Sequence, residues 1–596
     1  MIANQAQNLV QMFEAQAADQ GDRAAMRFKR DGRWQDISWK ETARRARDVS
    51  DGLASIGVKP GDRVSILADT CPEWIIADVG IMGAGAILVP IYQSNPSHEV
   101  QYILDDAGTS WIFVDDDHQA AKMREIRGQL DRLRGVIRFH GSAQSDQERT
   151  LADLEHAGIE WRKSHPAAHA QRMANVGHDD AASYLYTSGT TGNPKGVVLT
   201  HGNWTYEAAA AAELQILRPD DLVLLFLPMA HSFAKVIEAV WFRVGGTAAF
   251  VESLDKIVEN AGEVRPTVMP SVPRIFEKAY NAVVAKGLAT PGVKGWLFGV
   301  ALNGFDAWSD GQDRGQDVRT LGFRIGEKLV FPKLAAALRE RFGGRMRLFV
   351  SGGAPLSNKV ERFFSLLGFT VLEGWGLTET SAGTCVNRVG RNKVETVGPP
   401  FPGTEIRIAE DGEILVKGGG VMKCYYNKPE ATAEVLRDGW LYTGDIGELD
   451  SDGYLRITDR KKDLIKTSGG KYVAPQNLEN ELKNDPLISQ VLVHGDKRKF
   501  CSALITLNAE SARKWAQENG VPDDEPLHES PKVRLRIQHV VDALNAKQAS
   551  YATIKRFAIL EGDFTQEGGE LTPTLKVKRK VVTARYQDLL DSFYED

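Results

Sequence analysis

One stretch of the sequence combines residue types that can grip phosphate groups. Residues 186–203 read YTSGTTGNPKGVVLTHGN, which contains four glycines, five serines or threonines and one lysine. Glycines such as Gly189 and Gly192 let backbone N–H groups point inward, and Lys195 adds positive charge. The side chains that would add hydroxyl donors are those of Thr187, Ser188, Thr190 and Thr191. The composition therefore predicts a polyphosphate-binding loop.

Two other interpretations of this loop have to be weighed. A Walker loop needs the pattern GxxxxGK followed by Ser or Thr. Counting from Gly189, Pro194 stands where the second glycine is needed, and Gly196 follows Lys195, so the pattern fails at two positions. A surface turn rich in Gly, Ser and Thr is the other interpretation, and the composition of the loop alone leaves it open.

The elements around the loop predict an α/β protein. Short apolar runs alternate with helical patterns through the first two-thirds of the chain, which is typical of parallel sheets covered on both faces. The candidate strands span residues 62–69, 85–92, 109–115, 135–141, 181–186, 221–228, 247–252 and 346–353. After about Thr396 the pattern changes, and residues 405–419 predict an antiparallel hairpin around an Asp-Gly turn. A further change near Arg460 predicts a C-terminal α+β domain of about 130 residues.

Composition narrows the functional classes. The chain has 596 residues and a net charge of -6, which gives no indication of nucleic-acid binding. The four cysteines show no paired metal-ligand spacing and fit a reduced, cytoplasmic protein. The N-terminus lacks the basic region of a signal peptide. Residues 74–92 are apolar but contain Asp78 and Pro90, which favours a buried helix running into a buried strand over a membrane span.

With these observations in place, the loop resembles the phosphate-loop signature of the adenylate-forming superfamily, which includes acyl-CoA synthetases, adenylation domains and firefly-type luciferases. Further stretches resemble family motifs in the expected order. They are LPMAHSF (227–233), SGGAPL (351–356), EGWGLTET (373–380), GWLYTGD (439–445), DGYLRITDRKKDLIKTSGGKYV (452–473) and PTLKVKR (573–579). The resemblance in motifs covers residue 186 to the end. The first 180 residues match the family only in their alternation of strand and helix patterns. Residues 227–242 and 270–284, and the segment of about 75 residues between Arg274 and Ser351, resemble long-chain fatty acyl-CoA synthetases in particular.

The resemblance implies roles for individual residues. Trp375 would lie against adenine, Thr378 would contact the α-phosphate, and Glu379, with Thr187, would hold Mg²⁺. Asp445 would accept the ribose hydroxyls beside Arg460, and His231 would line the site of the acyl carboxylate. The remaining candidate contacts to ATP or coenzyme A are Gly352, Gly353, Ala354, Glu373, Gly374, Gly376, Lys462, Lys466, Gly469 and Gly470. Each of these residues also has a purely structural alternative. A tryptophan of this kind is usually a core residue, Asp445 could be no more than a turn-capping acid, and a histidine beside apolar residues is commonly structural.

One lysine and one boundary complete the expected machinery. The resemblance makes Lys576 the catalytic lysine, although composition cannot separate it from Lys578 and Lys580, and Leu575 stands where the family often has glycine. It also implies a large AMP- and acyl-binding domain over residues 1–459, made of parallel α/β subdomains plus a small β-barrel. A hinge at 460–462, with Lys462 as the pivot, would connect it to a smaller, mobile catalytic α+β domain over 463–596. A solvated lysine in a polar linker is the plain alternative for Lys462.

The expected reaction is the ATP-dependent conversion of a long-chain fatty acid to acyl-AMP, followed by thioester formation with coenzyme A. No carrier segment follows Asp596, which favours coenzyme A as the thiol. The alternatives are a ligase for another carboxylic acid, an acyl-AMP donor to a separate carrier, and a non-catalytic acyl-nucleotide sensor. Ala234 and Lys235 stand where some relatives have a gating tryptophan. We expect a cytoplasmic monomer or homodimer, and a lipid substrate is compatible with peripheral membrane contact.

Overall fold

The computed structural model describes residues 6–187, 193–468, 470–572 and 576–595. The strands are β1 Ala24–Arg30, β2 Arg33–Ser38, β3 Arg63–Leu67, β4 Ile87–Ile91, β5 Thr109–Val114, β6 Gly135–Arg138, β7 Glu148–Thr150, β8 Ala181–Thr187, β9 Lys195–Thr200, β10 Leu222–Leu225, β11 Thr247–Phe250, β12 Val268–Ser271, β13 Leu348–Ser351, β14 Val371–Trp375, β15 Cys385–Val386, β16 Glu405–Ile408, β17 Glu413–Lys417, β18 Cys424–Tyr425, β19 Leu436–Arg437, β20 Trp440–Leu449, β21 Leu455–Arg460, β22 Ile465–Lys466, β23 Tyr472–Val473, β24 Ile488–His494, β25 Cys501–Leu507 and β26 Ile554–Ile559.

Helices separate most of these strands. They are α1 Leu9–Gln20, α2 Trp39–Ser55, α3 Pro72–Gly83, α4 Ser97–Ala107, α5 Asp117–Ile126, α6 Leu151–Ser164, α7 Ala168–Asn175, α8 His201–Glu213, α9 Ser232–Val244, α10 Ile257–Val264, α11 Pro273–Leu288, α12 Val293–Asp313, α13 Leu321–Ile325, α14 Phe331–Arg341, α15 Asn358–Leu366, α16 Pro429–Val435, α17 Pro475–Lys483, α18 Ala509–Glu518, α19 Pro531–Asn545, α20 Arg579–Arg585 and α21 Gln587–Ser592. A π-helical turn, Gly326–Val330, joins α13 to α14.

Two large, mostly parallel sheets form the body of the molecule, as the sequence predicts. The first sheet has the order β18-β9-β8-β4-β3-β5-β6-β7, and the second has the order β15-β14-β13-β12-β10-β11-β1-β2. Antiparallel pairs occur only toward the ends of these described sheets, between β8, β9 and β18, β14 and β15, and β1 and β2. Strands such as β4, β10 and β13 are buried along their whole length, because helices cover both faces of a parallel sheet.

The smaller parts of the fold also follow the sequence prediction. The expected hairpin forms between β16 and β17, with Gly412 in the left-handed region at φ 84°, and it joins an antiparallel sheet with β19, β20 and β21. The apolar stretch 74–92 is the buried helix α3 followed by β4, and none of the described helices has the length and apolar character to cross a membrane.

The C-terminal part is α+β and has a core of its own. Strands β24, β25 and β26 form its sheet, and Leu482, Val533 and Ile537 are fully buried against it. Ion pairs connect it to the preceding residues: Lys578 Nζ lies 3.3 Å from Glu99 Oε1. Lys547 likewise lies 3.4 Å from the carboxylate of Asp310.

A buried cluster of three ionisable side chains joins α3 to α9. Lys235 Nζ donates to Asp78, and it lies 2.6 Å from Glu238 Oε2; all three side chains are fully buried. Burial and the charge of Asp78 raise the pKa of Glu238 well above its usual range. Burial lowers the pKa of Lys235, but attraction to Asp78 and Glu238 outweighs this and the net shift is upward. The cluster therefore keeps its lysine charged inside the protein.

Candidate active site

The carboxyl ends of β13 and β14 form one edge of the second sheet. Ser351 and Glu373 are in register there, so the loop 352–356 begins beside Glu373. Gly353 has φ 83°, a left-handed conformation that glycine adopts readily, and the ring of Phe233 lies against Gly352. Open α/β sheets usually bind ligands at this edge.

Glu373 connects the strand edge to that loop. Its Oε1 accepts a hydrogen bond from the backbone N–H of Leu356 at 3.0 Å. Burial, assisted by the charge of Glu361, raises the pKa of Glu373 to about 8. The side chain is therefore largely protonated at neutral pH, and its contact in the structure is to the backbone of the loop.

Trp375, Asp445 and Arg460 form a hydrogen-bonded group on one side of the edge. The indole Nε1–H of Trp375 donates to Asp445 Oδ2 at 2.9 Å, and Arg460 Nε lies 3.1 Å from Asp445 Oδ1. Asp445 and Arg460 are directly paired between β20 and β21, which fixes their spacing. Each carboxylate oxygen can accept more than one hydrogen bond, so Asp445 retains acceptor capacity for a hydroxyl.

Lys576 reaches the same place from the C-terminal part. Its backbone N–H donates to Thr572 Oγ1 at 3.0 Å and its carbonyl accepts from the N–H of Thr572, which fixes the backbone of Lys576 beside Thr572. Burial and the nearby charge of Arg460 lower the pKa of Lys576 to about 8, against the opposite effect of Asp445. Lys578, by contrast, pairs with Glu99. Lys578 and Lys580 also line the cleft, so what distinguishes Lys576 is its proximity to Arg460 and Asp445.

His231 begins α9 as its N-terminal cap. Its Nδ1 accepts a hydrogen bond from the backbone N–H of Phe233 at 3.1 Å. Burial, together with the charge of Lys576, lowers the pKa of His231 to about 4, so the ring is neutral at physiological pH. A neutral ring with Nδ1 accepting carries its proton on Nε2, which is then available as a donor.

A third group lies at the base of the predicted phosphate loop. Thr187 ends β8 and is paired with Lys195, which begins β9. The Nζ of Lys195 lies 5.1 Å from the centre of the Tyr425 ring, and the Tyr425 hydroxyl donates to Glu379 Oε1 at 2.6 Å. Burial and the charge of Glu379 raise the pKa of Tyr425. Ser188, Gly189, Thr190, Thr191 and Gly192, predicted to grip phosphate, lie outside the described residues.

Sequence reasoning did not identify Tyr425. It ends β18 and is followed directly by a second tyrosine, Tyr426, and nothing in the composition distinguishes the two. Adjacent strand residues point to opposite faces, and in the structure Tyr426 stacks on Tyr184, with 4.6 Å between ring centres, while Tyr425 reaches Glu379. Only the pairing of β18 with β9 decides which one enters the site.

Most of the described candidates meet in one open cleft of about 3160 Å³ between the sheet edge and the C-terminal part. Those that line it are Thr187, Lys195, His231, Gly353, Ala354, Glu373, Gly374, Trp375, Gly376, Thr378, Glu379, Asp445, Arg460, Lys462 and Lys576. Gly352, Lys466 and Gly470 are not among its lining residues. Lys466 instead lies over the ring of Tyr472, with Nζ 5.4 Å from the ring centre, and Gly469 lies outside the described residues.

Two adjacent lysines, Lys461 and Lys462, differ in how the structure holds them. Lys461 Nζ lies 2.8 Å from Glu413 Oε2, and its backbone N–H donates to the carbonyl of Gly444 at 2.8 Å. Lys462 is exposed and has no ion pair with any described residue.

The donor set suits a magnesium ion that arrives with a nucleotide. No group of three His, Cys, Asp or Glu side chains that could hold a metal occurs in the described parts of the chain. Mg²⁺ is commonly held by one or two carboxylates together with substrate phosphates. Glu379 is a carboxylate in the cleft, oriented through one oxygen by Tyr425, and it fits that arrangement.

Comparison with known proteins places the chain in a family. The model of the AMP-binding enzyme family matches residues 13–426, and that of the AMP-binding enzyme C-terminal domain matches residues 462–596. The chain belongs to the adenylate-forming superfamily of AMP-binding enzymes. Long-chain-fatty-acid–CoA ligase FadD15 of Mycobacterium bovis is 39% identical over 571 residues, which are 95% of this chain and 93% of the relative.

Other relatives of this AMP-binding enzyme agree. Long-chain-fatty-acid–CoA ligase ACSBG2 of Xenopus laevis is 31% identical over 98% of this chain and 83% of its own length. Among solved structures, the A domain of carboxylic acid reductase from Segniliparus rugosus, in complex with AMP and a co-purified carboxylic acid, superposes with a TM-score of 0.74. At 21% identity, over 100% of this chain and 95% of that one, it supports the fold alone. The predicted fold class is confirmed: parallel α/β subdomains, a small barrel, present as the half-barrel sheet of β16, β17, β19, β20 and β21, and a separate C-terminal α+β domain.

Proposed function

We propose that this AMP-binding enzyme is a long-chain fatty acid–CoA ligase that forms acyl-AMP and then transfers the acyl group to coenzyme A. The curated relatives carry this name over nearly the whole chain. The structural observation that carries the proposal is the position of Lys576 in the cleft, beside His231 and the Asp445–Arg460 pair. ATP and coenzyme A are the co-substrates.

In the first half-reaction, a fatty carboxylate oxygen attacks the α-phosphorus of ATP. A P–O bond forms, the bond to the β-phosphate oxygen breaks, and pyrophosphate leaves. The ammonium of Lys576 would offset the negative charge that gathers around the α-phosphate, and the neutral His231 ring would donate from Nε2 to the carboxylate. Preorganised donors of this kind act strongly where water is scarce. Bound Mg²⁺, with Glu379 and Thr187 as its protein ligands, would supply further charge neutralisation on the phosphates.

Nucleotide contacts follow from the group around Asp445. Trp375 would lie against adenine while its indole N–H holds Asp445, and Asp445 would accept the ribose hydroxyls with Arg460 beside it. Thr378, whose Oγ1 lies 3.4 Å from Ser232 Oγ, would contact the α-phosphate. The glycines at 353, 374 and 376 allow the backbone to approach the base closely. Gly352, Glu373, Lys466 and Gly470 are proposed to contribute less directly, because their described contacts lie elsewhere.

In the second half-reaction, the thiol sulfur of coenzyme A attacks the acyl carbonyl, the thiol proton is lost, and AMP departs. We propose that residues 463–596 turn about Lys462 between the two steps, which removes Lys576 from the cleft. Support comes from the separate core of this part, its polar contacts to the preceding residues, and the attachment at Lys461 beside an exposed Lys462. Small or polar interfaces of this kind permit domain motion.

Acid-dependent release of pyrophosphate tests the substrate assignment. Purified protein with ATP, Mg²⁺, coenzyme A and palmitate is expected to release pyrophosphate and AMP in equal amounts and to form palmitoyl-CoA. A panel of fatty acids from octanoate to stearate, compared with acetate, benzoate and amino acids, defines the class. Activity restricted to aromatic or amino acids would overturn the fatty-acid assignment, and acyl-AMP that accumulates beside unused coenzyme A would favour a carrier as acceptor.

Lys462→Pro tests the pivot. Proline fixes φ near −65° and is expected to block the rotation. Adenylation should persist, which also shows that the variant folds, while transfer of acyl-AMP to coenzyme A should stop. Unchanged overall turnover would contradict a pivot at Lys462.

A cytoplasmic location and peripheral membrane contact are part of the same proposal. Cys71, Cys385, Cys424 and Cys501 are free thiols, as expected in a reducing compartment. For the oligomeric state we propose a monomer or homodimer, which sedimentation velocity would distinguish.

A further inference from the structure

An exposed apolar surface lies away from the cleft. Of the large apolar side chains that are exposed among the described residues, five fall within residues 288–329. They are Leu288, Val293, Trp296, Leu321 and Leu329, with between 52% and 76% of each side chain accessible. Singly exposed apolar residues are ordinary, but a cluster marks an interaction site. We call these five residues the apolar face.

The five side chains belong to one continuous surface built on α12. Trp296, Gly299 and Val300 share a side of this helix because they are three and four residues apart. Leu288 Cδ2 would lie 3.8 Å from a Cβ at Gly299, so the end of α11 packs there. On the other flank, a Cβ at Gly322 would lie 2.7 Å from the carbonyl of Val300, which places Leu321 beside the same turn.

Leu329 joins the surface through the π-helical turn. Gly326 begins this turn, and a Cβ there would lie 3.1 Å from the Cβ of Ala301 on α12. Leu329 is three residues further along the turn. The apolar face thus spans the end of α11, the first half of α12 and the α13–π segment.

Exposed cations lie on the same segments as the apolar face, and acids are scarce there. The cations are Lys286, Lys294, Arg324, Lys328 and Lys333, all exposed and none in an ion pair with a residue that the structure describes. Residues 279–305 contain no Asp or Glu. The neighbouring acid, Glu327, lies 3.3 Å from Arg319. This local excess of positive charge contrasts with the net charge of -6 for the whole chain.

We propose that the apolar face and its five cations dock on an anionic lipid bilayer. Tryptophan and aliphatic side chains enter the boundary between headgroups and acyl chains, and lysines beside them attract anionic headgroups. A protein partner would supply acids to pair with the cations, and an anionic lipid surface supplies both the acyl chains and the negative charge that this apolar, cationic segment lacks. The proposal rests on the peripheral membrane contact proposed above and assigns it to a surface, and it does not depend on which acid is activated.

The apolar face and the cleft lie at opposite ends of α11. Pro273, Ile275 and Glu277, in the first turns of α11, line the cleft, whereas Leu288 ends the same helix. At 1.5 Å per residue these ends are about 22 Å apart. Docking therefore leaves the cleft open while keeping it within about one helix length of the lipid.

Vesicle co-sedimentation tests the proposal. The full chain is expected to sediment with vesicles of phosphatidylcholine and phosphatidylglycerol in equal parts, weakly with phosphatidylcholine alone, and less at high salt. Val293→Ser with Trp296→Ser, and separately Lys286→Glu with Lys294→Glu, should each weaken binding by roughly tenfold or more. The matched controls, Leu535→Ser on α19 and Lys514→Glu with Lys555→Glu, should bind like wild type. Because all these positions are exposed, unfolding curves should be unchanged.

Tryptophan quenching by brominated phosphatidylcholine gives a second readout. Trp296→Phe keeps an aromatic side chain and should still bind, but it should lose the lipid-dependent quenching seen in wild type. The proposal is overturned if wild type stays in solution with anionic vesicles, or if the variants of the apolar face bind as tightly as the controls. A concentration-dependent dimer that Trp296→Ser abolishes would instead assign the surface to a second copy. Pyrophosphate release with octanoate, a soluble acid, should be unaffected by every variant, so failure of docking and failure of the ligase proposal are separable.

Discussion

The surroundings of Lys235 and of Lys576 both shift the lysine pKa, but in opposite directions. Lys235 sits between Asp78 and Glu238, fully buried, and their attraction raises its pKa in spite of burial. Lys576 reaches the cleft beside Arg460, and its pKa is lowered to about 8. The partners of Lys235 belong to helices α3 and α9, whereas Lys576 is presented by a different part of the chain.

This difference separates a structural lysine from one available to a ligand. A buried cation that already has Asp78 and Glu238 as hydrogen-bonded partners gains little from an anion. A cation held close to Arg460 is under-neutralised, so the phosphates and carboxylate of the substrates complete its surroundings. Strongly lowered lysine pKa values in a cleft are typical of functional sites.

The largest expected effect is on stability, at Lys235. Lys235→Ala would leave Asp78 and Glu238 buried without their cation, which typically costs about 3–5 kcal/mol. Chemical denaturation should show this loss in the free energy of unfolding. The triple variant Lys235→Met, Asp78→Asn, Glu238→Gln should lose less, because no charge remains uncompensated. A loss below about 1 kcal/mol in Lys235→Ala would remove the structural half of the comparison.

Tyr425→Phe sharpens the comparison on the side of the cleft. It removes the hydroxyl that donates to Glu379, and hydrogen bonds to charged groups contribute about 1.5–3 kcal/mol. We expect kcat/KM for adenylation to fall by roughly tenfold or more, with a higher Mg²⁺ concentration needed for half-maximal rate. Calorimetric titration of the ATP-loaded protein with Mg²⁺ should show the weaker binding directly.

The neighbouring residue provides the control for Tyr425. Tyr426→Phe keeps the ring that stacks on Tyr184 and leaves Glu379 untouched, so it should behave like wild type. Equal effects of the two substitutions would mean that the hydroxyl of Tyr425 does not position Glu379.

A smaller effect is expected in the pH dependence of adenylation. Lys576 is protonated below its pKa of about 8, so kcat/KM should fall about tenfold per pH unit above that value. Bound ATP favours the charged lysine, and the fall in kcat should therefore begin at higher pH. Lys576→Arg should remove this alkaline limb, because arginine stays charged. An alkaline limb near 10.5, the usual value for lysine, would contradict the lowered pKa.

His231 should not contribute to the same pH profile near neutrality. The pKa of His231 is lowered to about 4, so its ring does not titrate near neutrality. No acid limb near 6.5 should therefore arise from it.

Much of the fold was predictable because its signals are local. Fully apolar runs such as those of β4 and β10 indicate strands that are buried on both faces, and the Asp-Gly turn indicates the β16–β17 hairpin. The N-terminal hairpin of β1 and β2 was not predicted. The polar β2, RWQDIS, forms an exposed edge of the second sheet, where pairing with β1 replaces any hydrophobic signal.

The candidate site was predictable as a set of motifs and not as a geometry. The motifs identified Asp445 and Arg460, but their direct pairing, and the hydrogen bond from Trp375, depend on where β14, β20 and β21 end. The role of Tyr425 could not be predicted from the sequence, because it depends on which side of β18 contacts Glu379. The roles of the residues at 188–192 and 469 stay predictions from the sequence.

The most direct test of the account compares two half-reactions in Lys576→Ala and Lys578→Ala. In Lys576→Ala, fatty-acid-dependent pyrophosphate release should fall by about 10²–10³, while transfer from synthetic acyl-AMP to coenzyme A proceeds at the wild-type rate. Lys578→Ala, which removes only the pairing with Glu99, should retain both steps. Equal loss of both half-reactions in Lys576→Ala, or selective loss of adenylation in Lys578→Ala instead, would contradict the account.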